Sequence, residues 1–348
     1  MTMTTTSYTN LLDLNFVEMQ NLVKELHWPA FRTTQILQWL YQHRVRDIDQ
    51  MTNLSRLDRV ELGSRATIRR TLAPTIHIAA DETKKFLFPF EDGMLVECVL
   101  IPEGKRRTLC VSTQIGCTLD CTFCLTGQMG LKRNLKAHEI VEQVLVAQDG
   151  QGTTERITSL VFMGMGEPLA NSSEVADAIT RLTSDVWGIG FPARRITIST
   201  AGMALALPEV ATWGVNLAIS LNATTNALRD KLMPSINRLY PLPNLLAACR
   251  TYPLQHGRRL TFEYVLLANF NDSHDDAKRL IKLLKGIRCK INLIPFNEFS
   301  GNPYRRPSEE TILDFQSILR DAHYDVFIRK SRGQDILGAC GQLGILPT

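Results

Sequence analysis

The chain has 348 residues, 39 Lys and Arg against 35 Asp and Glu, a formal charge of +4 and 44% hydrophobic residues. That composition is globular and excludes a disordered or collagen-like chain, while so small a positive balance neither demands nor opposes a nucleic-acid partner. No apolar run approaches the roughly 18–20 residues of a membrane span, and eight cysteines are too sparse for a disulfide scaffold.

The first ten residues have neither a basic start nor an apolar core, and Asp13 and Glu18 precede the first basic residue, Lys24, so neither a secretory signal nor a transit peptide is expected and the protein reads as cytosolic. From Phe16 to about Arg70 apolar residues recur at helical spacing (Phe16, Met19, Leu22, Val23; Ile36, Leu37, Leu40, Tyr41; Leu54, Leu57, Val60, Leu62), broken at Pro29 and at Met51–Ser55. This predicts a module of three or four helices over residues 1–74. Between residues 75 and 108 the texture turns to β, with turns at Glu91–Gly93 and Pro102–Gly104, which suits a linker of hairpins.

Six short apolar runs follow, at 108–113, 157–163, 195–199, 216–221, 260–267 and 290–294, with helical patterns such as 139–147 and 275–284 between most of them. Strands alternating with helices predict an α/β fold with parallel strands, and chemistry at the strands' C-terminal ends, over residues 109–297. A helix at 309–322, a strand at 324–329 and a loop rich in glycine complete a C-terminal extension over 298–348.

Directly after the first run, Cys117, Cys121 and Cys124 stand at C-x3-C-x2-C spacing, with Gly116, Gly127 and Gly130 letting the backbone curl around a compact ligand. Thiolates hold iron–sulfur clusters at about one per iron, so three ligands leave one iron of a four-iron cluster open to a small molecule. A structural zinc site, which prefers four ligands, and plain burial are the alternatives. This motif, with an aromatic residue before its third cysteine, resembles the radical S-adenosylmethionine (SAM) superfamily. The resemblance implies a [4Fe-4S] cluster on Cys117, Cys121 and Cys124, SAM on the fourth iron, and a partial (βα)6 barrel, in agreement with the six runs.

Met163-Gly-Met-Gly166-Glu167-Pro168 after the second run looks like that superfamily's Gly-Glu-Pro motif, which holds the SAM amino group. Ser199, Ser220-Leu221-Asn222 and Asn297 are at later strand ends. Alone each reads as a cap or turn residue; together they fall where SAM contacts belong.

Cys110, in the first run, and Cys340, in a glycine-flanked loop expected to be flexible and exposed, lie outside the motif. A thiol in such a loop makes poor core, and mobile thiols serve as nucleophiles or redox partners. Cys98, Cys249 and Cys289 read as packing. The whole pattern resembles the RlmN family, dual-specificity RNA methyltransferases acting on carbon 2 of adenine. The likeness rests on Phe31–Ile36, Met51–Ser55, Val96-Glu97, Thr108–Ser112, Leu131–Leu135, Gly164–Pro168, Ser199–Gly202, Asn292–Asn297 and Gly338–Leu343. Asn222 in place of a common His, and Leu125–Gly127, depart from it.

The resemblance implies that Cys340 takes a methyl group from one SAM, and that a radical from a second SAM activates that group to join the adenine carbon. Cys110 then resolves the adduct through a transient Cys110–Cys340 disulfide. Glu97 matches the family's proton acceptor, although Cys110 also fits that role. The implied partners are 23S rRNA, the tRNA adenine 3′ to the anticodon, and a flavodoxin or ferredoxin-type electron donor, with no membrane and a monomeric state. Lys105–Arg107, Lys132–Lys136, Arg194-Arg195 and Arg329–Arg332 are candidate phosphate contacts, and the target adenine must be unpaired or flipped out. The rivals are the sister family that methylates carbon 8 of the same rRNA adenine and a non-catalytic, metal-stabilised RNA-binding protein.

Overall fold

The structure, a computed structural model, describes residues 8–151 and 155–344. Residues 1–7, which bear on the expected lack of a leader, lie outside the described residues. The chain forms two compact units: Met1–Leu72, Lys136–Glu142 and Ser173–Pro192 make up one, and Ala73–Leu135, Gln143–Ser172 and Ala193–Thr348 the other.

In the first unit, strands β1 (Thr9–Asn10) and β2 (Ala66–Thr67) pair in parallel beside helices α1 (Phe16–Glu25), α2 (Phe31–Tyr41) and α3 (Arg56–Gly63). Asn15 and Ser55 start α1 and α3 with reciprocal caps to Glu18 and Asp58, which explains why the pattern restarts after Met51–Ser55. Met19, Val23, Ile36, Leu37, Leu40 and Leu62 are buried. Two later segments belong here because buried cations demand partners. Arg181 donates to the carbonyls of Leu12 (2.6 Å) and Leu14 (3.1 Å) and to Tyr41 Oη (2.6 Å), and Arg70 pairs with buried Glu142. A division at residue 74 does not contain those segments.

The second unit is built on a ten-stranded sheet of β3 (Thr75–Ile78), β4 (Lys84–Pro89), β5 (Leu95–Glu103), β6 (Arg106–Cys110), β9 (Ser159–Phe162), β10 (Ile196–Thr200), β11 (Asn216–Ser220), β12 (Leu260–Leu266), β13 (Cys289–Pro295) and β14 (Val326–Ile328). A separate short pair, β7 (Gln114–Ile115) and β8 (Arg133–Asn134), flanks the cysteine loop and the one-turn helix α4 (Leu125–Gln128).

The six predicted runs are β6 and β9–β13, which lie side by side in chain order and run parallel. Their connections carry α5 (Ala137–Asp149), α6 (Ser172–Thr183), α7 (Leu207–Thr212), then α8 (Asn226–Leu232), α9 (Pro234–Leu239) and α10 (Leu242–Thr251), and α11 (His274–Leu284). All residues of β9 and β12 are buried, as in strands covered on both faces. The strands at the two ends of the sheet, β3 and β14, do not pair with each other, so this is the open, partial barrel expected.

Two features differ from the sequence reading. The hairpins of 75–108 are no separate linker: β3, β4 and β5 extend the barrel sheet antiparallel, with Val99 opposite Cys110. The extension likewise returns to the sheet, as α12 (Glu309–Asp321) leads into β14, a seventh parallel strand beside β13. Each addition covers an edge that a six-stranded sheet leaves unpaired.

Candidate active site

The cysteine loop leaves the sheet just after β6. Gly116 makes its first turn at φ +73°, and a Cβ there would meet the carbonyl oxygen of Gly130 at 1.8 Å, so only glycine fits. Cys117 and Cys121 pack on an apolar floor that includes Leu119, Leu125, Ala223, Met233, Val265 and Phe296. Burial pushes the Cys117 thiol up to about 12, pushes Cys121 well above its usual value, and raises Cys124. Donors oppose this: the Leu119 N–H is 3.3 Å from Cys117 Sγ, and Cys124 receives the backbone N–H groups of Gly127 and Thr126.

The Gly164–Pro168 turn is zipped to this loop. Ser112 Oγ accepts the Met165 N–H (2.7 Å), and the Met165 carbonyl accepts the N–H groups of Thr113 (2.8 Å) and Gln114 (3.2 Å). A Cβ on Gly164 would come within 2.4 Å of Ser112 Oγ, and one on Gly166 (φ +98°) within 2.5 Å of Gln114 Cβ. The glycines thus serve the close approach of two protein segments, where sequence pointed to a ligand. Glu167 is buried; its carboxylate accepts the N–H groups of Leu169 (3.0 Å) and Ala201 (2.7 Å) and the Thr200 hydroxyl, and burial raises its pKa.

Cys110 and Cys340 meet at one cavity of about 480 Å³, also lined by Met163, Glu263, Lys290, Asn297 and Arg329. Burial pushes Cys110 to about 12 and Cys340 to about 11; each thiolate would repel its neighbours, while the Arg329 guanidinium favours both. Cys340 is an exposed residue, yet its thiol is surrounded by protein, because the surface it exposes lines this cavity.

Its loop is also not the free tail expected from sequence. Asn297 Nδ2 donates to the Cys340 carbonyl (3.0 Å), the Leu125 N–H to that of Gly341 (2.8 Å), and Gln342 Nε2 to that of Glu298 (2.7 Å). The glycines permit this tethering, since the chain needs φ +84° at Gly341 and +153° at Gly344.

Among the other predicted residues, Ser199 is buried, Ser220 half-buried and Leu221 buried at the ends of β10 and β11. Asn222 (φ +57°) is engaged with the protein itself: Oδ1 accepts the Val265 N–H (3.0 Å) and its carbonyl accepts Asn271 Nδ2 (2.8 Å). Glu97 does not line the cavity. Its carboxylate is buried, ion-paired to Lys85 Nζ (3.0 Å), and accepts the Gly344 N–H (2.8 Å), so it anchors the Cys340 segment.

Residues 9–68 match the ribosomal RNA large subunit methyltransferase N-terminal domain, and residues 111–284 match the radical SAM superfamily. The chain is 47% identical over 343 residues to the dual-specificity RNA methyltransferase RlmN of Desulfotalea psychrophila, covering 96% of this chain and 94% of that protein. It is 46% identical to the RlmN of Syntrophus aciditrophicus, covering 96% of both. The chain belongs to the RlmN family of radical SAM RNA methyltransferases. A radical SAM methyltransferase from Sphaerobacter thermophilus matches its structure with a TM-score of 0.88 at 41% identity, over 96% of this chain and 98% of that one.

RlmN enzymes use a [4Fe-4S] cluster and SAM, and the residues present fit both. Among the described residues no three His, Cys, Asp or Glu side chains stand close enough to share one metal ion. A four-iron cluster takes about one thiolate per iron, so its ligands need not converge on a point, and the N–H donors around the cysteines suit anionic sulfur. Glu167 has accepted three donors where an ionised carboxylate has about four sites, which leaves room for an ammonium group.

Sequence reasoning missed four residues of this region. Gln114 joins the cysteine loop to the Gly-Glu-Pro turn. Arg229, fully buried, donates to the Ala201 carbonyl (2.6 Å) behind Glu167. Glu263 and Lys290 line the cavity. The available signal was a charge inside an otherwise apolar strand, as in Leu260–Leu266. Arg329, grouped with loop cations by sequence, is instead a cavity residue, and Arg107, Arg133 and Arg332 are engaged with Glu155, Asp92 and Asp81.

Proposed function

We propose that the protein methylates carbon 2 of an adenine in 23S rRNA and of the tRNA adenine 3′ to the anticodon, with Cys340 as methyl carrier and Cys110 as resolving thiol. The observation that carries this reading is that these two cysteines, 230 positions apart in sequence, line the same cavity (340 − 110). Cys117, Cys121 and Cys124 would hold the cluster, and Glu167, with Gly166, Ser199, Ser220, Leu221, Asn222 and Asn297, the SAM. Together these cofactors supply the radical that makes a methyl carbon reactive toward an electron-poor ring.

The thiol pair does the rest. Cys340 Sγ would lose its proton and take the methyl group of one SAM, whose sulfonium–methyl bond breaks to leave S-adenosylhomocysteine. After one hydrogen atom is removed, that carbon would bond adenine carbon 2, and the adduct would give up its carbon-2 proton to a base and its odd electron to a one-electron acceptor, the chemistry an iron–sulfur cluster supplies. Cys110 Sγ, having lost its proton, then attacks Cys340 Sγ: the S–C bond breaks with its electron pair toward the base, the released methylene carbon takes a proton to become the methyl group, a Cys110–Cys340 disulfide forms, and a two-electron reductant restores the thiols. The carbon-2 proton leaves to Cys110, which lines the cavity; Glu97, the other candidate, has its carboxylate outside the cavity lining, on Lys85 and the Gly344 N–H. Asn297 fixes the Cys340 backbone throughout. The electron donor is a flavodoxin or ferredoxin, and the enzyme works as a cytoplasmic monomer; among the described residues no helix is long and apolar enough to cross a membrane.

The test is nucleoside mass spectrometry after anaerobic turnover of the reconstituted protein with SAM, a flavodoxin reductant, unmodified 23S rRNA fragment and tRNA. 2-Methyladenosine in both RNAs is expected; 8-methyladenosine would move the protein to the sister family, and 5′-deoxyadenosine with unmodified RNA would refute the substrate. Cys340→Ala abolishes methylation with the cluster retained, and Cys110→Ala leaves RNA bound covalently to protein. Normal free product from either variant overturns that thiol's role.

A further inference from the structure

Glu263 is a buried acid for which neither the cluster nor the thiol pair has a use. It lies on β12 between Ser220 of β11 and Asn292 of β13, in register with both, and is only 3% exposed. Oε1 accepts Asn292 Nδ2 at 2.8 Å. Oε2 accepts no hydrogen bond from any described residue, although Arg329 Nη1 is 4.0 Å away. Burial raises the carboxyl's pKa, while Arg329, Asn292 and Lys290 favour the ionised form.

A buried acceptor without a donor is destabilising, so a fold that retains one fits a ligand that brings the donor. Glu263 faces the same cavity as Cys110 and Cys340, and about 480 Å³ lies within the range of roughly 300–1,000 Å³ for small-molecule sites. Of the seven residues assigned to SAM only Asn297 lines it, so the donor belongs to the substrate side. On the reading that an adenine enters here, which this inference requires, the ring edge that carries carbon 2 also carries the 6-amino group. Guanine and hypoxanthine carry an oxygen at that position and would meet an acceptor with an acceptor.

We propose that Glu263, oriented by Asn292 and Arg329, accepts a hydrogen bond from the 6-amino group of the target adenine and thereby selects the base. The residue touches the substrate on the same ring edge as the thiols: it reads the base while Cys110 and Cys340 modify it.

The test compares short RNA hairpins with adenosine, purine riboside or inosine at the target position, using reconstituted wild-type protein and Glu263→Gln. Loss of a hydrogen bond to a charged acceptor predicts that the wild type favours adenosine over purine riboside by about 10- to 100-fold in kcat/KM, and that Glu263→Gln brings this ratio to within about threefold. A wild type with no such preference overturns the proposal without recourse to any variant, as does an unchanged ratio in Glu263→Gln. Mass analysis of Cys340 after incubation with SAM alone separates the sources of the donor. If Glu263→Gln fails to acquire the S-methyl group, the carboxylate serves SAM and the proposal falls. If the wild type carries the methyl group on Cys340 but modifies none of the hairpins, the adenine reading itself has failed, and the donor assigned to Glu263 falls with it.

Discussion

Replacing Gln114 with Met should uncouple the cysteine loop from the Gly164–Pro168 turn. Gln114 is fully buried and makes four hydrogen bonds: Oε1 accepts the N–H groups of Thr118 (3.2 Å) and Glu167 (3.0 Å), and Nε2 donates to Thr118 Oγ1 and Asn134 Oδ1, both at 2.8 Å. Methionine fills the same space without these bonds. Thr118 and Asn134 are exposed and regain water, at a loss of about 0.5–1.5 kcal/mol per bond. Glu167 is buried, and its orphaned N–H costs about 1–3 kcal/mol. The total, about 2.5–7.5 kcal/mol, is survivable over most of its range for a domain of roughly 5–15 kcal/mol and corresponds to a fall in Tm of about 5–30 °C at about 2–4 °C per kcal/mol. Anaerobic scanning fluorimetry gives the Tm, and iron content and SAM affinity give the state of the loops; both should fall together. A variant within about 2 °C of wild type and with a full cluster would refute the reasoning.

Lys85→Met leaves the buried Glu97 carboxylate without its cation and should destabilise the fold by about 3–5 kcal/mol; adding Glu97→Leu should restore Tm, and no recovery in the double variant would show that the pair is not the cause. Asp13 is held down to about 2 from 3.8, chiefly by the His138 imidazole, whose Nδ1 is 3.1 Å from its carboxylate, so its contribution is complete above about pH 4 and is lost as pH falls toward 2. Asp13→Asn should therefore cost about 1 kcal/mol at pH 7, allowing for partial exposure, and the gap in urea midpoint should narrow below pH 4; a constant gap would contradict this. Burial pushes Cys249 and Cys289 up to about 12 and Cys98 well above its usual value, so all three are neutral thiols at pH 8. Iodoacetamide should label them only after unfolding, and labelling of the native protein would show that they are not packing residues.

Much of this protein is local information. The barrel strands announce themselves as short apolar runs, most plainly β9 and β12, every residue of which is buried, and the caps at Asn15 and Ser55 are set by residues within one turn. Cys117, Cys121 and Cys124 fall within eight residues, so the loop that carries them is legible as one unit whatever surrounds it. What the sequence does not carry is where distant segments meet. Arg181 and Glu142 fall inside barrel crossovers in sequence but complete the helical unit, because a buried cation or acid is stable only where its partner is. The Cys340 loop reads as a loose tail and becomes a fixed wall through bonds to Asn297, Leu125 and Glu298, none of them near it in sequence. Glu263 looks like a stray charge in an apolar strand until β11 and β13 fall into register on either side of it. Periodicity and short motifs are fixed by neighbours along the chain, whereas the pairing of charges, donors and thiols across a cavity is fixed by strand order, and only folding sets that order.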